Sequence, residues 1–183
     1  MILVLAFFSR YRNIPILTVE TPPKQSEGSG ETFSVDVLIS DLGEVLYPAM
    51  SLSVNFDSSR LEFLGIAEGN LMTLGDERAD GNSYQLPTWT VNVERSNKIG
   101  QINVMYLDMT GSKYAFSKET MRDENNVVMR LNFKLRGSAT KGDVYELSVA
   151  DAVFAATDEE QSLSSVAGTL RTQNGKVVVG GAK

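Results

Sequence analysis

Met50-Ser51-Leu52-Ser53-Val54-Asn55-Phe56-Asp57 alternates apolar and polar residues without a break. Successive side chains of a strand point to opposite sides, so Met50, Leu52, Val54 and Phe56 share one face. Ala49, Ser51, Ser53 and Asn55 share the other. An amphipathic helix needs apolar residues at three- and four-residue intervals, and this stretch lacks them. One face suits a core, while the other is small and polar. The reading is a half-buried β-strand, and the rest of the chain supplies its neighbours.

The same period of two recurs on both sides, between turn-forming residues. Upstream, Ile14 to Thr21 reads as a strand, and 22–30 as a loop rich in Pro, Gly and Ser. Phe33, Val35, Val37 and Ile39 then alternate with Ser34, Asp36 and Leu38, the last an imperfection. Downstream, Leu61 to Ile66 is a short apolar strand, and Gly75 to Asn82 is a charged loop. Trp89, Val91 and Val93 alternate with Thr88, Thr90, Asn92 and Glu94. The turn Ser96-Asn97-Lys98 leads to a strand with Ile102, Val104 and Tyr106 on one face and Asn103, Met105 and Leu107 on the other. Ser117 to Arg122 suits one or two helical turns capped by Ser117. Val127, Met129, Leu131, Phe133 and Leu135 mark a further strand face, as do Tyr145, Leu147 and Val149. An apolar run follows around Val153 and Phe154. Asn174-Gly175 reads as a hairpin turn before Lys176 to Val179.

These segments predict an all-β fold: about nine strands in an antiparallel β-sandwich, with one short helix. The expected core includes Val35, Val37, Leu52, Val54, Phe56, Trp89, Val91, Val104, Tyr106, Leu131 and Phe133. With 183 residues, the chain has the size of a single domain. Residues 14–183 carry the sandwich pattern. The apolar stretch Met1 to Phe8, within the segment 1–13, is too short to span a bilayer, which takes about 20 helical residues. It also lacks the basic start and small-residue cleavage site of a signal peptide. Two readings stand for it: the remnant of a membrane anchor or signal, or an extra edge strand packing locally.

Composition excludes much chemistry. The chain has no cysteine and no histidine. Cysteine nucleophiles, thiolate or imidazole metal sites and histidine-based relays are therefore out of reach. A net charge of −6, with no dense Lys/Arg cluster, argues against nucleic acid. Phosphate-binding and dinucleotide-binding loops are absent, as is a Gly-x-Ser-x-Gly elbow. Carboxylates are plentiful, but Asp76, Glu77, Asp80, Asp158, Glu159 and Glu160 sit in loops, where solvated charge is the simpler reading. Asp76 to Asn82 lacks the alternating oxygen ligands and distal Glu of an EF-hand loop. No enzyme, intrinsic metal site, cofactor or small-molecule substrate is expected.

The outward residues give a different signal. If Ile102, Val104 and Tyr106 face the core, Met105 and Leu107 face out beside the small polar face of Ala49 to Asn55. A flat surface with an apolar centre has the anatomy of a protein interface. The alternatives are a covering loop or N-terminal segment, or burial of both strand faces.

Several segments resemble, in order, those of the cohesin family of cellulosomal scaffoldins. Met50 to Asp57 followed by Leu61-Glu62-Phe63 is similar to the family's alternating run ending in aromatic-Asp and then Leu-Glu. Asn103-Val104-Met105-Tyr106-Leu107-Asp108 resembles its apolar strand ending in an acid. Asn126 to Arg136 is similar to its Gly-Val-Phe-Ala-x-Ile-x-Phe-x-Val strand. Val153-Phe154-Ala155 and Asn174-Gly175-Lys176-Val177-Val178-Val179 resemble its closing segments. The resemblance covers roughly residues 14 to 180. The lengths of Met109 to Asn126 and of Gly75 to Asn82 are similar to the more elaborated cohesin types, which carry a helix and flaps.

The resemblance implies a nine-stranded jelly-roll sandwich without catalysis. One sheet face would dock a dockerin module of an enzyme or scaffoldin, and the calcium would belong to that dockerin. It implies an extracellular or cell-surface setting, with any membrane or cell-wall attachment outside this domain. The implied partner-binding residues are Ala49, Ser51, Ser53 and Asn55 on one strand, Thr90 and Asn92 on a second, and Asn103, Met105, Leu107 and Asp108 on a third. A carbohydrate-binding module and a cell-surface adhesin or pilin-like domain share the sandwich and stand as alternatives.

Overall fold

In the computed structural model, Thr32–Ile39 and Ala49–Asn55 both form strands, and among the described residues ten more accompany them. The structure describes residues 14–26, 30, 32–40, 42–71, 87–121, 126–137 and 139–180. The segment 1–13 and the loop Gly75 to Asn82 lie outside these. In chain order the strands are β1 (Ile16–Val19), β2 (Gln25–Ser26), β3 (Thr32–Ile39), β4 (Ala49–Asn55), β5 (Leu61–Glu68) and β6 (Thr88–Val91). The helix α1 (Val93–Ile99) follows, and then β7 (Gln101–Leu107), β8 (Val127–Leu135), β9 (Val144–Ala155), β10 (Leu163–Ser164), β11 (Arg171–Gln173) and β12 (Gly175–Gly180). Three of the twelve have only two or three residues, which leaves nine longer strands, the number the alternation predicts.

They form two sheets. One has the order β11-β1-β3-β8-β5, the other β2-β12-β9-β4-β7-β6, with β10 on β9. Non-sequential neighbours show that the chain crosses between sheets, in the jelly-roll manner. Most ladders are antiparallel, but β1 pairs β11 and β2 pairs β12 in parallel. The all-antiparallel expectation is corrected at these two points, and part of the expected 22–30 loop is β2.

The inner faces interdigitate. Val35, Val37, Leu52, Val54, Phe56, Val104, Tyr106, Leu131 and Phe133 are buried as expected, while Trp89 and Val91 are half-buried and pack on the same core. Aromatic rings gather in two groups. Phe133 sits 5.6 Å from both Phe56 and Phe63 and 5.9 Å from Phe33. In the second group Tyr106 lies 4.7 Å from Trp89 and 4.8 Å from Phe116, which meets Phe154 edge-on at 5.4 Å. These offset and edge-on geometries are those the aromatic quadrupole favours.

The helix is not where the sequence placed it. Val93–Ile99 is helical, although Val93 continues the alternation of Trp89 and Val91 and 96–98 reads as a turn. Its ends explain why. The Asn92 side chain accepts from the Arg95 amide at 2.8 Å, satisfying a free N–H of the first turn. Gly100 closes the helix with φ of 69°, and its N–H donates to the Ser96 carbonyl. Glu94 near the start and Lys98 near the end also suit the helix dipole. Of the expected Ser117 to Arg122, Arg122 lies outside the described residues, and Ser117 to Met121 form one turn. The Met121 amide donates to the Ser117 carbonyl, and Ser117 Oγ accepts from the Thr120 amide at 3.4 Å, so the capping role of Ser117 stands.

Asn174-Gly175 is not a hairpin. It carries the chain from β11 in one sheet to β12 in the other. Asn174 Oδ1 accepts from the Val149 amide at 3.0 Å, and its Nδ2 donates to Glu146 at 2.9 Å. Gly175 is needed for close approach. A Cβ there would stand 2.5 Å from the Glu20 carbonyl oxygen and 2.6 Å from that of Val19.

Candidate functional site

The register between β4 and its neighbours builds one continuous outer face. Ala49 stands opposite Leu107 and Ala155, Ser51 opposite Met105 and Val153, and Ser53 opposite Asn103 and Asp151. On the far side of β7, Thr88 pairs with Leu107 and Thr90 with Met105. The face therefore runs in rows across β9, β4, β7 and β6. Eight of the expected residues come together on it: Ala49, Ser51, Ser53, Asn55, Thr90, Asn103, Met105 and Leu107.

The rows differ in chemistry. Met105 is 62% exposed and Leu107 45%, so neither is covered. With Val153, Ala155 and Ala49 they form an apolar end, and Met109, 71% exposed, continues it past the strand. The other end is polar, with Ser53, Asn103, Gln101 and Asn55 beside the carboxylate of Asp151. Ser53 donates to Asn103 Oδ1 at 2.7 Å, and Gln101 donates to Asn55 Oδ1 at 2.9 Å. The residues of β4 on this face, Ala49, Ser51, Ser53 and Asn55, are small, which keeps its middle low.

Two expected residues lie elsewhere. Asn92 is beyond the end of β6 and caps α1, so its side-chain oxygen is committed to the Arg95 amide. Asp108, expected among the partner-binding residues, is buried at 6% exposure. Its oxygens accept from the Thr110 amide at 2.8 Å, the Thr110 hydroxyl and the Tyr114 amide at 3.0 Å. The strand parity points it inward with Tyr106 and Val104. It organises the following loop.

Sequence reasoning missed Thr88, Gln101, Asp151, Val153 and Ala155. The strand β9 supplies three of them, and a bulge hid it. Ser53 pairs with Asp151 but Val54 pairs with Val149, so Ala150 is an extra residue. The inward set is therefore odd-numbered up to Val149 and even-numbered from Ala152. No fixed period runs through that strand.

The opposite outer face is of another kind. There Arg130 pairs with Asp36 at 3.1 Å, Arg136 with Glu62 at 3.9 Å, and Ser34 donates to Asn132 at 2.7 Å. It is a charged, solvated surface. Among the described residues no group of three or more Asp or Glu could hold a metal ion, and no helix is long and apolar enough to cross a membrane.

Comparison with known proteins adds the family. The chain is similar in fold to the third ScaC cohesin of Acetivibrio cellulolyticus, solved in complex with the ScaB dockerin. The TM-score is 0.64 at 19% identity, over 91% of this chain and 99% of that one. A type I cohesin–dockerin complex with OlpC from Clostridium thermocellum gives 0.66 at 15% identity, over 92% and 95%. A non-cellulosomal cohesin from the hyperthermophilic archaeon Archaeoglobus fulgidus gives 0.57 at 16%, over 89% and 88%. No curated protein matches. The cohesin domain family model matches residues 19–175, nearly the whole described sandwich, and the chain belongs to the cohesin family.

Proposed function

We propose that this chain is a non-catalytic docking module whose β9-β4-β7-β6 face binds a calcium-loaded dockerin. The contrast between its two outer faces carries the reading. One is laced with ion pairs, while the other has an apolar end with uncovered Met105 and Leu107 and a polar end without an ion pair among the described residues. Depletion of charge around an exposed apolar centre distinguishes interface cores from the rest of a protein surface. Related structures are described as complexes with dockerins, which gives the partner class. Calcium belongs to the partner, and the setting is extracellular or at the cell surface, in a cellulosome-type assembly.

A carbohydrate-binding module of this architecture would present flat aromatics outward. Among the described residues every exposed large apolar side chain is aliphatic or Met, and Tyr47, Tyr106 and Phe154 are buried. The experiment is calorimetric titration of the chain with a panel of dockerin modules, in calcium and in chelator. Binding that needs calcium is expected with at least one dockerin. Failure of the whole panel, with turnover or binding of a polysaccharide instead, overturns the proposal.

A further inference from the structure

We infer that Asp151 selects the partner, admitting dockerins that bring a Lys or Arg side chain to it; this rests on the docking face proposed above. Among the described residues of the four-strand face, the others opposite or beside it are neutral: Ser53, Asn103, Ser51, Met105 and Val153. Asp151 is the formal charge in that patch. The next charges on the same side, Glu146 and Lys176, face each other across β9 and β12, beyond the bulge.

The carboxylate is held in place but not neutralised. Its Oδ1 accepts from the Ser165 hydroxyl at 3.1 Å, and Ser165 Oγ in turn accepts from the Ala152 amide at 2.9 Å. Oδ2 accepts no hydrogen bond and meets no cation among the described residues. The donors of the facing row are engaged elsewhere: Ser53 donates to Asn103, and Asn103 donates on to Gln101 at 3.4 Å. The bulge at Ala150 is what aims the residue. Without it, the inward parity of Leu147 and Val149 would run on and turn Asp151 into the core.

A partner that covers this face removes water from Asp151. An uncompensated carboxylate resists that strongly, whereas one met by a cation and hydrogen bonds does not. The residue thus admits a cationic side chain and rejects an apolar or acidic one, which is specificity by penalty as much as by attraction. Asp151 lies about 7 Å along the strand from Val153. The expected partner helix therefore carries its cation two rows from the apolar contact that meets Leu107.

The test uses a dockerin from the panel that binds the full chain. Affinity is measured at low and high salt for wild type, Asp151→Asn, Asp151→Lys and Leu107→Asp, with folding checked by thermal melt. Asp151→Asn keeps the acceptor for Ser165 and removes only the charge. It should bind about tenfold more weakly at low salt and lose most of the salt dependence. Asp151→Lys should recover binding when the dockerin's contacting Lys or Arg is changed to Glu. Unchanged affinity and salt slope in Asp151→Asn, with binding abolished by Leu107→Asp, overturns the role of Asp151 and leaves the docking face standing. Wild-type binding in folded Leu107→Asp overturns the face, and the selection by Asp151 with it.

Discussion

Asp108 turns inward at the end of β7 and carries the backbone of the next loop on its two oxygens. Asp108→Ala would leave the Thr110 and Tyr114 amides without their acceptor in a part-buried place, at a cost of about 1–3 kcal/mol each where water cannot replace it. Chemical denaturation should show that loss, while the folded fraction keeps its dockerin affinity. Beside it, the Tyr106 hydroxyl donates to the Tyr114 carbonyl at 2.6 Å. Burial, then the charge of Asp108, holds its proton well above the usual tyrosine range. Tyr145 is pushed up to about 12 by burial and by its hydrogen bond to Asp143. Unfolded tyrosines release their protons near pH 10, before these folded ones do. The stability this contributes is complete below about pH 10 and is lost as pH rises through the raised values. Thermal melts across that range should fall off in wild type and less steeply in Tyr106→Phe.

At the scale of the element, α1 protects an edge. The strand β5 ends its sheet, and Asn97 Oδ1 accepts from the Phe63 amide at 2.8 Å while its Nδ2 donates to the Phe63 carbonyl at 2.7 Å. One amide side chain thus takes the place of a neighbouring strand, in a position where open edges invite aggregation. Asn97→Ala should destabilise more than Asn92→Ala. The first leaves two part-buried backbone groups unpaired; the second removes a single helix cap worth about 1 kcal/mol. Denaturation midpoints of the two variants rank them, and equal midpoints would contradict the edge-capping role. The elements also show what the sequence could reveal. The face of β4 and β7 is legible because Ala49 to Asn55 and Gln101 to Leu107 keep strict alternation. The helix α1 is obscured because Val93 stays in phase with Trp89 and Val91, although Asn92 and Gly100 stand at cap spacing. The contribution of β9 is hidden because Ala150 breaks the period. Asn174-Gly175 misleads because its glycine answers a close approach by Val19 and Glu20 rather than a tight turn.

Across the whole molecule, the two sheets divide the work. Their inner faces supply the aromatic and aliphatic core. The outer face over β3, β8 and β5 is charged and solvated, and the outer face over β9, β4, β7 and β6 carries the proposed docking surface. On the proposed function, a dockerin sits on this second face, against Leu107 and Met105 at its apolar end. The most direct measurement is calorimetry of one calcium-loaded dockerin against three folded proteins: wild type, Leu107→Asp, and Asp36→Ala from the opposite outer face. Loss of an apolar anchor that a partner buries can cost about 2 kcal/mol, or roughly 30-fold in affinity, and a carboxylate put in its place adds a desolvation penalty. Leu107→Asp should therefore bind at least about 30-fold more weakly, while Asp36→Ala binds as wild type does. Full affinity in Leu107→Asp, or loss of binding in Asp36→Ala, would contradict the assignment of the docking face.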